Sequence, residues 1–301
     1  MDEKLIKNIN NIIWYIPFKT LRNSVRELLI KHFTVLEQLD NMVYDVYMKD
    51  KTSITDCMVG YKNICKLASE NDNYFNIFRQ NLDYKEVLEH VDYDTGKLYL
   101  DVIISRNQFD NNDFEKFKKN DLYGGATLED FENVGKICPS TLRYIKVLSD
   151  LIIYFKTLDN FRICEIGVGY GGQSRIIMSY FNIKDYTYVD LESPLSLTSK
   201  YMNKFDDIDK NKLNFITMDE LKNNKYDLVI SNYAFSELTR NVQDIYTDKI
   251  IKNSSHGYIT YNNFARFDNY KLDEYKVKFS KDIKIYEEEP NTNPLNKIIV
   301  W

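Results

Sequence analysis

The densest chemistry in the chain lies in one short segment, Cys164-Glu165-Ile166-Gly167-Val168-Gly169-Tyr170-Gly171-Gly172-Gln173-Ser174. It follows the apolar run Arg162-Ile163-Cys164 and opens a second apolar stretch over 176–181. Glycines at such a turn let the backbone bend sharply and approach a ligand without Cβ clashes, while the helix start beyond them offers free N–H groups. Asp190 closes the next apolar run about 20 residues on, where a carboxylate can accept hydrogen bonds from both hydroxyls of a ribose. Gly167, Gly169, Gly171, Asp190 and the adjoining Leu191 are therefore expected to hold an adenosine-type ligand. Read literally, Gly167-x-Gly169-x-x-Gly172 also satisfies the dinucleotide fingerprint, so the glycines alone leave a nicotinamide dinucleotide and S-adenosylmethionine (SAM) both open.

Two features of the residues favour SAM. Glu165 stands directly before the turn, where an acid can orient an amino-acid group and sits poorly beside a pyrophosphate. The motif also begins deep in the chain, behind a helical region, with few strands after it. In an open parallel sheet the ligand lies beyond the carboxyl ends of the strands. That rule places Ser231, Asn232, Tyr233 and Glu237 on the reactive edge after the fourth strand, and Tyr261 and Asn262 after the fifth. Ser231, Asn232 and Asp219, which follows the third strand, are expected on the cofactor side. Glu237 is the first candidate for a general base and Tyr233 the second, with a helix-dipole charge as the bland alternative for Glu237. Asn262 and Tyr261 are candidates for holding the acceptor. His256 precedes its strand and is expected at the opposite edge. No tight acidic pair follows the fourth strand and the cysteines and histidines are scattered, so no metal site is expected.

The elements that position these residues follow from hydrophobic spacing. Leu5, Ile9, Ile12 and Ile13 recur at helical intervals, Pro17 breaks the pattern, and Leu21, Val25, Leu28, Leu29 and Phe33 resume it. Arg22, Arg26 and Lys31 lie along the second helix, which reads as a packed face with solvated charges, or less simply as a basic face for a membrane or partner. Helix continues over 61–67 and 84–90, then 97–104 reads as a short strand and 107–113 as a polar loop. Gly124-Gly125 is a candidate hinge. Tyr123 beside it and Arg143 in the helix opened by Pro139-Ser140-Thr141 are placed to reach a ligand from a lid, Tyr123 by stacking and Arg143 by pairing with a carboxylate or phosphate. From about residue 161 apolar strands near 162–166, 187–189, 214–217, 227–230 and 257–260 alternate with helices, the mark of a parallel sheet built from βαβ units. Two closing strands, near 283–286 and 297–301, are joined without room for a crossover and must be antiparallel.

Composition narrows the function classes. The 301 residues carry 40 Lys plus Arg against 45 Asp plus Glu, a net charge of −5, which argues against a surface built for nucleic acid. No apolar stretch approaches the roughly 18–20 residues needed to span a bilayer, and the start Met1-Asp2-Glu3-Lys4 does not read as a secretion signal. Four cysteines without a CxxC pair suit a reducing compartment, so a cytoplasmic chain is expected.

Several segments together resemble the bacterial sugar O-methyltransferases of surface-polysaccharide gene clusters. They are Pro139-Ser140-Thr141-Leu142-Arg143-Tyr144, the glycine segment above, Val189-Asp190-Leu191, Gly257-Tyr258-Ile259-Thr260-Tyr261-Asn262 and, most specifically, Asp227-Leu228-Val229-Ile230-Ser231-Asn232-Tyr233-Ala234-Phe235-Ser236-Glu237-Leu238. Glu165-x-Gly167-x-Gly169-x-Gly171 is similar to the first motif of class I methyltransferases, and the antiparallel finish matches their sheet. The resemblance implies an α/β class I SAM-dependent methyltransferase domain over 136–301, behind a mostly helical lid or substrate region over 1–135. It implies methyl transfer to a sugar hydroxyl in capsule or lipopolysaccharide assembly, with a carbohydrate acceptor that is free, nucleotide-linked or lipid-linked, and a possible homo-oligomer. Two rivals remain: an NAD(P)-dependent sugar reductase or epimerase, and a catalytically silent SAM-fold subunit that binds a glycan-assembly partner. Against the former, neither strand end carries Tyr-x-x-x-Lys; Tyr233 is followed by Glu237 and Tyr261 by Ala265.

Overall fold

The computed structural model describes residues 3–16, 18–48 and 51–301; the break expected at Pro17 lies outside the described residues. The chain divides into two compact units, 1–51 and 52–301. The first contains the helices Glu3–Ile13 and Lys19–Met48, which pack together and bury Ile9 and Ile13. Arg22 Nε donates to the Ile16 carbonyl at 3.0 Å, and the guanidinium lies 4.9 Å from the Trp14 ring centre.

The second unit is built on an open sheet. A small antiparallel ribbon, β1 (Glu129–Phe131) and β2 (Gly135–Ile137), comes first. Then follow β3 (Arg162–Ile166), β4 (Asp185–Val189), β5 (Leu213–Ile216), β6 (Tyr226–Asn232), β7 (Ser254–Tyr261), β8 (Lys284–Glu287) and β9 (Lys297–Val300). The seven lie in the order β5-β4-β3-β6-β7-β9-β8. Pairings from β5 across to β7 are parallel, while β9 runs antiparallel to both β7 and β8. The fold is thus a Rossmann-like α/β sheet with an antiparallel hairpin at its end, as the strand spacing predicts.

Strand alternation sends side chains to two apolar layers. Ile163, Tyr188, Leu228, Ile230 and Tyr258 pack with the helices Pro139–Phe155 and Gly172–Tyr180. Cys164, Ile166, Val229 and Ile259 pack on the other face with the helices Arg240–Lys249 and Tyr275–Phe279. Both faces being covered, the central strands are largely apolar. Glu165 is the charged residue that interrupts β3, and it is 2% exposed.

Two expectations are corrected. Residues 97–104 are not a strand but part of the helix Tyr93–Arg106. The side chain of Asp92 caps it, accepting from Thr95 N–H at 2.9 Å, and Gly96, Tyr99, Leu100 and Ile103 form a buried stripe at helical spacing. The β-branched run Val102-Ile103-Ile104 is overridden by that cap and stripe. The polar loop is shorter than expected, because Asp110 and Asp113 form a capping box that starts the helix Asn111–Lys118.

Candidate active site

A single cleft of about 1640 Å³ opens over the carboxyl ends of β3, β4, β6 and β7. One small-molecule site takes roughly 300–1,000 Å³, so this cleft has room for two ligands side by side.

The glycine turn forms one side. Gly167 (φ +76°) and Gly169 (φ +59°) take backbone conformations that side chains disfavour. Asp190 ties the turn to the end of β4: one carboxylate oxygen accepts from Val168 N–H at 2.8 Å and Gly169 N–H at 3.3 Å, and the other from Leu191 N–H at 2.7 Å. Burial nevertheless pushes the Asp190 carboxyl up to about 6, against the pull of those three donors. Glu165 accepts a hydrogen bond from the Tyr186 hydroxyl at 2.8 Å, and burial pushes its pKa up to about 8. Leu191, Phe215, Met218 and the exposed Asp219 complete this side of the cleft.

The ends of β6 and β7 supply the centre. Asn232, Tyr233, Glu237 and Asn262 all face the cleft. Glu237 accepts from Asn262 Nδ2 at 2.6 Å; burial raises its pKa while the Asn262 bond opposes the rise. Asn262 is fixed in turn by Ser236, whose hydroxyl donates to its side-chain oxygen at 3.1 Å and accepts its backbone N–H at 3.1 Å. Tyr233 has a positive φ of 67°, a strained conformation for a bulky residue and one that clusters at functional sites.

The far wall comes from segments that strand-end reasoning does not reach. Tyr99 and Arg143 stand on two packed helices, and Glu288, Thr292 and Asn296 on the connection between β8 and β9. The Tyr233 hydroxyl donates to Glu288, which also accepts from Asn296 Nδ2 at 2.9 Å and from the Thr292 hydroxyl at 2.5 Å. In the sequence, Glu288 is indistinguishable from the solvated acids Glu287 and Glu289 beside it.

Four candidates lie outside the cleft lining. The Tyr123 ring packs against Phe75 and Phe205 at 6.3 and 5.3 Å, with its hydroxyl turned to the Lys204 carbonyl, because that aromatic slot covers the ring better than the open cleft would. The neighbouring glycines are pinned rather than hinged: Arg79 N–H donates to the Gly124 carbonyl and Gln80 to that of Gly125, each at 3.0 Å. Tyr261 is buried against Tyr275, with its hydroxyl donating to Asn263. Ser231 braces the site from behind, donating to the Ile166 carbonyl at 2.9 Å and accepting from Phe235 N–H at 3.0 Å. Gly171 opens the helix Gly172–Tyr180, where a Cβ would come within 2.8 Å of Thr198. His256 is the third residue of β7, at the opposite edge, stacked on Phe161. Among the described residues no group of three His, Cys, Asp or Glu gathers as a metal site, and no helix is long and apolar enough to cross a membrane.

No family model matches the chain, and no curated protein does. Solved structures to which it is similar include the CurJ carbon methyltransferase (16% identity, 54% of this chain and 54% of that one, TM-score 0.39). The methyltransferase domain of bacterial CtHen1 aligns at 11% identity over 52% of this chain and 96% of that one, with a TM-score of 0.40. The pyocyanin biosynthetic protein PhzM aligns at 10% identity over 54% of this chain and 58% of that one, with a TM-score of 0.39. The chain spans about half the length of the first of these. Likenesses this distant say nothing of chemistry, and the chemistry of the cleft rests on its own residues.

Proposed function

We propose that the protein is a SAM-dependent O-methyltransferase acting on a sugar hydroxyl in bacterial surface-glycan assembly. The observation that carries this reading is the pairing, in one cleft with room for two ligands, of an adenosine-type cradle with a wall of acids, amides and hydroxyls. The cradle fits the adenosine half of SAM: a backbone turn that a ligand can approach closely, the half-buried Asp190 carboxylate for the ribose, and Leu191, Phe215 and Met218 for an apolar ring. Glu165 and Gly167, which also line the cleft, are assigned in this reading to the amino-acid half.

Bound there, SAM supplies an electrophilic methyl group. The protein's share of the reaction is to orient the acceptor hydroxyl and take its proton. Glu237 is the first candidate for that proton, since burial raises its affinity for one while Asn262 keeps the carboxylate aimed. Tyr233 is the second, with Glu288 behind it to receive the phenolic proton. Asn232 and Asn262 are placed to hold neighbouring hydroxyls. In this reading residues 1–135 are a mostly helical lid or substrate region, the methyltransferase domain runs over 136–301, and the enzyme works in the cytoplasm.

The test is thermal unfolding with SAM, S-adenosylhomocysteine, NAD or NADP, followed by methyl-transfer assays on nucleotide sugars and glycans. A ligand at 100 times its Kd adds about 2.7 kcal/mol of stability. A shift with SAM and S-adenosylhomocysteine that is lost in Asp190→Ala supports the reading. A shift confined to NAD or NADP would overturn it in favour of a sugar redox enzyme. Cofactor binding without turnover on any acceptor would leave the silent-subunit alternative.

A further inference from the structure

Among the described residues the buried cations other than Arg143 each reach a carboxylate, as does the half-buried Arg106, while Arg175 keeps Nε and Nη1 without a hydrogen-bond partner. Arg79 meets Glu89 at 2.9 Å and Asp121 at 3.0 Å, Arg106 and Lys146 share Asp150 at 2.7 and 2.8 Å, and Arg175 reaches Asp207 at 3.5 Å. Arg143 is only 7% exposed, yet among the described residues it has no carboxylate partner. Its guanidinium donates to the Leu88 carbonyl at 3.1 Å and lies 5.6 Å from the Tyr144 ring centre. The phenols of Tyr144, Tyr99 and Tyr233 are within electrostatic reach, Tyr144 foremost, and all of these residues line the cleft. A buried charge satisfied only by neutral groups is costly unless a counter-ion arrives.

The rest of the lining places that counter-ion in the ligand. The other basic side chains lining the cleft are Lys146, already bound to Asp150, and His90, which burial and the Arg143 charge keep neutral by pushing its pKa down to about 4. Glu165, Asp190 and Asp219 gather on the cofactor side, which suits a ligand with cationic groups there. Glu288, the acid nearest the Tyr233 side, already accepts from Tyr233, Thr292 and Asn296. Arg143 is thus a fixed, planar donor set on the wall where Tyr99 and Tyr233 stand, a geometry suited to two oxygens of one anion.

We propose that Arg143 is the seat of a ligand anion, a carboxylate or a phosphate, within this cleft. The proposal deepens the methyltransferase reading but does not depend on it. Under that reading the anion has two sources: the α-carboxylate of SAM, or a phosphate or carboxylate on the acceptor sugar.

The experiment measures thermal shifts of wild type, Arg143→Gln and Arg143→Lys with inorganic phosphate against chloride at matched ionic strength. It then compares S-adenosylhomocysteine with the carboxylate-free 5′-methylthioadenosine. If the anion is the acceptor's, phosphate stabilises wild type but not Arg143→Gln, and S-adenosylhomocysteine binds both alike. If it is the cofactor's, S-adenosylhomocysteine binds Arg143→Gln about tenfold more weakly or worse, the size of a charge-assisted hydrogen bond, while methylthioadenosine binds both alike. Either result supports an anion seat, with Arg143→Lys partly restoring it. Should Arg143→Gln fail to fold, the comparisons still run on wild type and Arg143→Lys, whose weaker point-charge contact must reduce the anion's effect. Phosphate acting no differently from chloride, together with equal preference for the carboxylate in wild type and both variants, would overturn the proposal. A phosphate shift without any response to SAM or S-adenosylhomocysteine would keep the anion seat and remove the methyltransferase reading.

Discussion

Tyr233 donates its hydroxyl hydrogen to Glu288, so the residue that follows β6 is tied to the connection between β8 and β9, 55 positions away. The bond holds a strained residue in place: Tyr233 pays for its φ of +67° with this contact and with its backbone N–H, which donates to the Thr260 carbonyl at 2.8 Å. If Tyr233 takes the acceptor's proton, Tyr233→Phe lowers kcat by about 100-fold or more with KM nearly unchanged, and Glu288→Gln lowers it in the same direction. If Glu237 takes the proton, Tyr233→Phe keeps most of kcat and Glu237→Gln carries the loss. Steady-state kinetics on the two single variants separates the cases.

Glu237 makes a prediction of its own in pH. Burial raises its carboxyl and the Asn262 amide opposes the rise. A general base must be ionised, so kcat/KM should climb with pH through the Glu237 pKa. Asn262→Leu removes the opposing donor and moves that acid limb to higher pH, whereas a purely structural Asn262 would lower the plateau without moving the limb. A pH profile of kcat/KM for wild type and Asn262→Leu decides it.

The parts of this site that the sequence makes legible are those carried by short-range pattern. Glycines before a helix, an acid closing the next strand and polar residues following β6 and β7 all depend on local backbone geometry, and Gly167, Gly169, Asp190, Asn232, Tyr233, Glu237 and Asn262 all reach the cleft. Illegible were residues whose role comes from distant pairing. Glu288 reaches the cleft because β9 inserts between β7 and β8, a register that no local signal encodes. Tyr99 arrives on a helix whose β-branched residues read as strand. Tyr123 fails for the converse reason, since local sequence cannot show that Phe75 and Phe205 offer its ring a closer fit.

The glycine turn can be tested as a packing relationship. A Cβ on Gly167 would stand 2.1 Å from the Ala234 methyl, at a φ of +76°. Gly167→Ala should therefore cost about 1–2 kcal/mol in backbone strain and about 1–3 kcal/mol in overpacking. Adding Ala234→Gly relieves the overpacking part alone. Denaturant midpoints for the two single variants and the double variant should show coupling between the positions; strictly additive losses would mean that the turn relaxes away from Ala234.

Glu165 should make both stability and cofactor binding depend on pH. Its folded-state pKa, about 8, lies above the ordinary 4.5, so the folded protein prefers the neutral acid. The resulting stabilisation is complete below about pH 4.5 and is lost as pH rises through about 8, an effect of a few kcal/mol. Glu165→Gln, which is neutral at every pH, should flatten that decline. A SAM amino group drawn to this end of the turn favours the carboxylate, so binding near pH 7 must expel a proton from it. Calorimetry in buffers of differing ionisation enthalpy should register that release in wild type and lose it in Glu165→Gln. Binding enthalpies that do not vary with the buffer would place the amino-acid end of the cofactor away from Glu165.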